Sequence, residues 1–131
     1  MMYIRGRNGT MRVMVIDDDE VVARVAVEFL LTSGMEAEAA TNSRKALQVL
    51  DGGGIDVVLC DILMPEKDGF EVIREIKAKF PRISVIAMTG GSQRLDPSSL
   101  LKIAAAFGAI EVLLKPFSMD ELLAAIAKIS P

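Results

Sequence analysis

The chain has 131 residues, a net charge of −3, and a composition that is 51% hydrophobic and 25% charged. These values are typical of one globular domain and exclude a strongly basic nucleic-acid binder. The chain has no histidine and one cysteine, Cys60, which excludes histidine-based catalysis, histidine-ligated zinc and a disulfide framework. Carboxylates, hydroxyls, amines and backbone amides are left to carry any chemistry.

The predicted secondary structure is a strict alternation of short apolar runs and stretches of helical periodicity. In chain order the elements are strand 12–16, helix 20–33, strand 36–40, helix 43–50, strand 55–60, helix 69–79, strand 83–88, helix 98–107, strand 110–114 and helix 119–129. Four strands are rich in Val, Ile and Leu and are predicted to be buried. The run at residues 36–40 is rich in Ala and has the weakest strand pattern.

Several local signals mark where the helices begin and end. Gly34 and Gly108 follow the first and fourth helices, as is typical of a C-terminal cap. Ser118 with Glu121 predicts a capping box at the start of the last helix. The first helix is predicted to bury one apolar face, formed by Val21, Val22, Val25, Phe29 and Leu30.

Residues 1–10 are expected to form a flexible tail before a single domain at residues 11–131. The tail lacks the apolar run of a signal peptide. No apolar run approaches the roughly 18 residues that a membrane-spanning helix needs. Together with a free cysteine, these features predict a cytoplasmic protein that does not insert into membranes.

Alternating strands and helices predict an α/β fold, a doubly wound parallel sheet with helices on both faces. In such folds the functional site lies at the carboxyl ends of the strands. The polar residues there are Asp17, Asp18, Asp61, Thr89 and Lys115.

These residue types favour phosphoryl chemistry. Asp17, Asp18 and Asp61 are expected to converge, and close carboxylates require a proton or a cation. Oxygen ligands without His or Cys suit Mg²⁺, with Mn²⁺ as a substitute. Thr89 and Lys115 at the same edge would bind phosphate oxygens, and the carboxylate of Asp61 is the candidate nucleophile.

Four segments resemble the receiver domain of bacterial two-component response regulators, in particular single-domain regulators of the chemotaxis type. The resemblance covers residues 11–129, nearly the whole chain. Its segments are Val15-Ile16-Asp17-Asp18-Asp19, Val58-Leu59-Cys60-Asp61-Ile62-Leu63-Met64-Pro65-Glu66-Lys67-Asp68-Gly69, Ala87-Met88-Thr89-Gly90 and Leu114-Lys115-Pro116-Phe117.

The resemblance implies a fold and a metal site. The fold would be a flavodoxin-like, five-stranded parallel sheet with strand order 2-1-3-4-5. Asp17 and Asp18 would hold Mg²⁺, directly or through water, together with Asp61. The backbone carbonyl of Leu63 would be a further ligand.

The resemblance also implies a phosphorelay role. Asp61 would accept a phosphoryl group from a histidine kinase or a histidine phosphotransfer protein. Thr89 would bind the phosphoryl group and Lys115 would pair with it. The chain would not be an enzyme beyond its own phosphorylation and dephosphorylation. With no effector domain expected in this chain, output would be through a protein partner bound at residues 98–129, without direct nucleic-acid binding.

Two features depart from the usual receiver pattern. Val112 stands where receivers usually carry an aromatic residue whose ring rotates during switching, and a valine cannot make that rotation. The stretch from Thr89 to Gly108 is a few residues longer than usual and predicts a longer, mobile loop before the fourth helix.

Three other functions are alternatives. A pseudo-receiver that is not phosphorylated would act as a constitutive protein-binding module, and Val112 keeps this alternative open. A phosphatase of the haloacid dehalogenase type would need a second Asp where Leu63 stands. Flavin binding would need a phosphate loop after the first strand, where Asp17 and Asp18 would repel a phosphate.

Overall fold

The computed structural model describes residues 10–64, 68–90 and 96–129. The strands are β1 (Arg12–Ile16), β2 (Glu36–Ala40), β3 (Val57–Asp61), β4 (Ser84–Thr89) and β5 (Ala109–Leu114). The helices are α1 (Glu20–Thr32), α2 (Ser43–Asp51), α3 (Gly69–Lys79), α4 (Pro97–Phe107) and α5 (Met119–Ala127). Residues 1–9 of the predicted tail at 1–10, and residues 91–95 of the predicted long loop, lie outside the described residues.

The five strands form one parallel sheet in the order β2-β1-β3-β4-β5. This arrangement confirms the predicted doubly wound α/β fold and its strand order. The observed bounds differ from the predicted bounds by at most two residues at any end. One shift matters for the site, because Asp61 and Thr89 are the last residues of β3 and β4 rather than the first residues after them.

The two faces of the sheet pack against different helices. Val13 and Val15 of β1 lie in a core cluster with residues of α1 and α5. Met14 and Ile16 lie in a second cluster with residues of α2, α3 and α4. This alternation follows from the two-residue period of a strand, and it places helices on both faces of β1, β3 and β4.

The buried face of α1 differs from the predicted one. The buried residues are Ala23, Ala26 and Leu30, whereas Val21 and Val25 are 71% and 41% exposed. Ala residues face the sheet because they let the helix approach it closely, and the larger valines then lie on the outer side. The prediction of a Val-rich buried face was therefore wrong for Val21 and Val25.

The prediction of a buried fifth strand was also only partly correct. β5 is an edge strand in which Ala109 and Leu113 are buried, while Ile110 and Leu114 are about half exposed. Its pairing with β4 is shifted by an irregularity near Val85. An edge strand has a neighbouring strand on one side only and its other side is open to solvent, so high apolarity alone did not determine its burial.

The local capping predictions are confirmed. Gly34 and Gly108 have φ angles of 88° and 116°. Residues that carry a Cβ rarely adopt this backbone conformation. Ser118 and Glu121 form the capping box of α5. In the described part of the chain, no helix combines the length and apolarity needed to cross a membrane.

Candidate functional site

The acidic residues converge because β1 and β3 are neighbours. Ile16 is paired with Cys60, so Asp17 and Asp61 come next on adjacent strands. Carboxylate oxygens of Asp17, Asp18 and Asp61 all lie within 4.8 Å of one another. Asp17 and Asp61 are buried, whereas Asp18 is exposed. The structure thus brings together the three carboxylates that the sequence singled out.

Lys115 supplies the positive charge at this cluster. Its Nζ donates a hydrogen bond to Asp17 Oδ2 at 2.9 Å and lies 3.4 Å from Asp61 Oδ1. Burial alone would lower the pKa of Lys115, but the hydrogen bond and charge of Asp17, helped by Asp61, outweigh burial and raise this pKa. Lys115 therefore remains an ammonium group at neutral pH.

The surroundings of Asp61 disfavour its charged form. Burial, followed by the negative charge of Asp17, raises the pKa of Asp61 above its ordinary value. Lys115 and the Leu63 N–H, which donates to Asp61 Oδ1 at 3.4 Å, act in the opposite direction without cancelling the rise. Three carboxylates against one ammonium leave an excess of negative charge, which is the condition that favours a bound cation.

The backbone after Asp61 is packed tightly against the start of α3. A Cβ on Gly69 would lie 2.3 Å from both the Asp61 carbonyl oxygen and Ile62 Cα. The Gly69 N–H donates to the Ile62 carbonyl at 3.2 Å. Gly69 is therefore required by the close approach of these backbone atoms. Residues 65–67, which include Pro65, lie outside the described residues.

Thr89 and Leu63 lie at the same edge but have different contacts. Thr89 is fully buried at the end of β4, and its carbonyl accepts a 2.7 Å hydrogen bond from the Lys115 N–H. Within the described residues the Thr89 hydroxyl donates to the Gly90 carbonyl at 3.4 Å, and not to the carboxylates. Leu63 follows Asp61 at this edge, and its side chain is 54% exposed.

An apolar groove of about 410 Å³ borders the acidic cluster. It runs between the first turns of α1 and the segment after β5. Its lining residues are Asp19, Val21, Val22, Val25, Lys115, Pro116 and Phe117. Sequence reasoning missed this surface because it assigned the valines to the core. The signal that could have revealed it is the spacing of Ala23, Ala26 and Leu30, which defines a second, narrower apolar stripe on α1.

Val112 lies on the face of the sheet that packs against α2, α3 and α4, opposite the face that packs against α1 and α5. It is partly buried against the cluster that contains α2, α3 and α4. Phe70 of α3 and Phe107 of α4 pack against the same cluster. Among the described residues, the rings packed on this face are therefore those of Phe70, Phe80 and Phe107, and position 112 contributes none.

Comparison with known proteins agrees with the fold and the site. A family model described as the response regulator receiver domain matches residues 13–127. The chain is 34% identical over 111 residues to the regulatory protein AtoC of Escherichia coli, covering 85% of this chain and 23% of AtoC. It is 32% identical over 114 residues to the regulatory protein VirG of Agrobacterium tumefaciens, covering 87% of this chain and 41% of VirG.

Solved structures show the same architecture. A response regulator receiver domain from Clostridium thermocellum is 31% identical, with a TM-score of 0.79, over 90% of this chain and 92% of that one. The chemotaxis protein CheY4 of Vibrio cholerae has a TM-score of 0.82 over 92% of this chain and 98% of that one, and at 24% identity it supports the fold alone.

The chain therefore belongs to the response regulator receiver domain family and is a component of phosphorelay signal transduction. Receiver domains are generally signalling modules rather than enzymes. The chain spans less than half of the length of the curated relatives AtoC and VirG, which are themselves regulatory proteins.

Proposed function

We propose that Asp61 is the phosphoacceptor of this receiver. The observation that supports this assignment is the position of its carboxylate. It is nearly buried, lies with Asp17 and Asp18 inside 4.8 Å, and has the Lys115 ammonium at 3.4 Å. A carboxylate held between acidic groups and a fixed cation is an oriented nucleophile beside a site for the charge that a phosphoryl group brings.

The transfer forms one bond and breaks one. A carboxylate oxygen of Asp61 attacks phosphorus of a phosphohistidine, an acyl phosphate bond forms, and the phosphorus–nitrogen bond breaks with its electron pair going to the imidazole. Lys115 pairs with the transferred phosphate oxygens, and Thr89 provides a hydroxyl at the same edge. Hydrolysis of the acyl phosphate restores the Asp61 carboxylate, and in this sense the domain catalyses only its own phosphorylation and dephosphorylation.

The residues fit Mg²⁺, with Mn²⁺ as a substitute. Asp17, Asp18 and Asp61 would hold the ion, with the carbonyl of Leu63 as a further ligand. The donor set is entirely oxygen, and its negative charge exceeds the single ammonium nearby, both of which suit a hard dication. When bound, the ion would neutralise the negative charge that gathers on the phosphoryl oxygens.

The phosphodonor is proposed to be a histidine kinase or a histidine phosphotransfer protein. Because this chain has no histidine, the donor imidazole must come from another protein. The apolar groove of Val21, Val25 and Phe117 borders Lys115, so a donor that covers the groove would bring its imidazole to Asp61. A cytoplasmic location, in keeping with the free Cys60, belongs to this proposal.

Output is proposed to occur through a protein partner bound at residues 98–129. This segment presents Leu101, Ile110 and Leu114 with 37%, 45% and 46% of their surface exposed, and a partner that covered them would bury apolar area. We propose residues 11–131 as the receiver domain, with residues 1–10 as a tail.

Intact-mass measurement after incubation with Mg²⁺ and acetyl phosphate tests the proposal. The wild type should gain one phosphoryl group, and Asp61→Asn should gain none. Asp68→Asn, at the N-cap of α3, is the matched control and should be phosphorylated like the wild type. If the wild type gains no mass and also fails to bind beryllofluoride with Mg²⁺, the domain is a pseudo-receiver and the proposal is wrong.

A further inference from the structure

Two aromatic rings join α3 to α4. The rings of Phe70 and Phe107 are stacked, with centroids 4.9 Å apart and planes inclined by 24°. The guanidinium of Arg74 lies 4.7 Å from the centroid of the Phe107 ring. Phe70 and Arg74 are four residues apart and share one face of α3. Phe107 is therefore held by two side chains of α3.

The start of α3 is attached to the residues that follow Asp61. Phe70 comes directly after Gly69, whose Cα packs against the Asp61 carbonyl and Ile62. The Phe70 N–H donates to Asp68 Oδ1 at 2.9 Å, which fixes the first turn. Since there is no room for a Cβ at Gly69, a displacement of the backbone at residues 61–62 must be followed by the start of α3.

The end of α4 contacts α3 at two points, Phe107 and Gly108. Only Leu100 and Ala104 of α4 are buried. Phe107 is the last residue of α4, and a Cβ on Gly108 would lie 2.6 Å from Lys77 Cγ. Lys77 is itself anchored, because its Nζ donates to the carbonyls of Pro81 and Ile83 at 3.0 and 2.7 Å.

We propose that the stack of Phe70, Phe107 and Arg74 couples the backbone at residues 61–62 to α4. Val112 has no ring to move, so α4 receives the change at Asp61 through α3. A shift of residues 61–62 on phosphorylation moves the first turn of α3, and the Phe70 ring carries Phe107 and the end of α4 with it. Packed elements respond to such shifts as bodies rather than by gradual deformation. The inference rests on the proposed function of Asp61 and specifies how phosphorylation at that residue changes the position of α4.

Spatial continuity alone does not show coupling, so the test must separate occupancy of the site from the response of α4. Beryllofluoride with Mg²⁺ is the probe, as a stable analogue of the phosphoryl group. Fluorine NMR detects beryllofluoride bound at Asp61. Amide spectra of protein labelled with nitrogen-15 report the chemical-shift changes of residues 97–107.

The variants are Phe107→Leu, which removes the stacked ring, and Arg74→Gln. The Arg74 side chain is exposed, so its replacement carries little risk for folding. Both should retain the bound fluoride signal. Phe107→Leu should lose the shift changes in α4, and Arg74→Gln should reduce them. Phe80→Leu is the matched control, because Phe80 packs against the same core cluster outside the stack, and its α4 response should match the wild type.

The outcomes distinguish failure of the proposed function from failure of the coupling inference. If the wild type shows no bound fluoride, the proposed function is wrong. If bound fluoride is present and α4 responds in Phe107→Leu as in the wild type, the coupling inference is overturned while the proposed function stands. Equal loss in Phe80→Leu and Phe107→Leu would also overturn the inference, because general packing would then explain the effect.

Discussion

The ammonium of Lys115 is bound more closely to Asp17 than to Asp61, at 2.9 Å against 3.4 Å. Asp17 is fully buried, and the side chain of Lys115 is 17% exposed. Asp17 is thus paired with a residue 98 positions away in the chain. This ion pair connects the ends of β1 and β5 across the acidic site, and several consequences of the site's charge balance can be measured.

Replacing Lys115 with Met should destabilise the domain and strengthen its binding of Mg²⁺. Loss of the ammonium leaves the buried Asp17 carboxylate without its partner, and we expect the free energy of unfolding to fall by about 2 kcal/mol in the absence of metal. Stabilisation by Mg²⁺, measured from denaturant unfolding with and without the ion, should exceed that of the wild type.

Lys128→Met is the control for this change. Lys128 pairs with Glu111 at the surface and is 65% exposed, so its loss should alter the free energy of unfolding by less than about 1 kcal/mol. Equal destabilisation by the two variants would contradict the role assigned to the Lys115–Asp17 pair.

Replacing Asp61 with Asn should stabilise the protein when a chelator is present. The substitution removes a nearly buried charge that Asp17 repels and whose pKa is raised by burial. We expect the free energy of unfolding at neutral pH to rise by about 1 kcal/mol. Asp68→Asn, at an exposed N-cap where Asn is equally suitable, should change it little. An unchanged or lowered value for Asp61→Asn would count against the charge crowding.

Replacing Gly69 with Ala should be strongly destabilising although Ala favours helices. The new Cβ would meet backbone atoms of Asp61 and Ile62 at 2.3 Å, and backbone cannot move aside as a flexible side chain can. We expect a loss of about 2–3 kcal/mol in the free energy of unfolding. Gly90→Ala is matched, since nothing lies within 4 Å of its added Cβ, and it should be tolerated. Similar losses in both variants would refute the close approach.

Replacing Val21 with Gln should slow phosphotransfer from a protein donor without affecting acetyl phosphate. Val21 is 71% exposed, so the free energy of unfolding should change by no more than about 0.5 kcal/mol. The rate of transfer from a histidine kinase that phosphorylates the wild type should fall several-fold. Leu31→Gln, at the other end of α1 and 47% exposed, should keep the wild-type rate. If both variants transfer equally fast, the groove does not receive the donor.

The N-cap of α4 should make its stability dependent on pH. Hydrogen bonds from the Ser99 N–H and the Ser98 hydroxyl lower the pKa of Asp96. A lowered pKa in the folded state means that the stabilisation is present above the unfolded pKa of about 3.9 and is lost as the pH falls through the folded pKa. Amide hydrogen exchange in residues 97–107 should therefore be slower in the wild type than in Asp96→Ala at neutral pH, and the difference should vanish in acid. A difference that persisted at low pH would show that the carboxylate charge is not responsible.

The candidate site was predictable because it depends on strand order and on residues at strand ends. The alternation of apolar runs and helical stretches predicts a parallel sheet, and parallel strands align their carboxyl ends at one edge. Asp17, Asp61 and Lys115 follow directly from that rule. Gly34 and Gly108 were predictable for a different reason, since the need for a positive φ is a local property of the chain.

Other features depended on contacts between elements that are distant in sequence. The exposure of Val21 follows from how closely the Ala residues of α1 let it approach the sheet, and hydrophobicity alone predicts the opposite. The partial exposure of β5 follows from its place at the sheet edge.

By itself the sequence determined the α/β fold, the strand order implied by the family resemblance, and the set of residues that meet at the acidic edge. Only the tertiary structure decided that Lys115 lies closer to Asp17 than to Asp61, that α1 presents a groove of valines, and that Phe70 stacks on Phe107. Backbone periodicity and strand-end position are encoded locally, within a few residues. The choice among neighbouring partners depends on side-chain packing across elements, where small differences in distance and burial decide which contact forms.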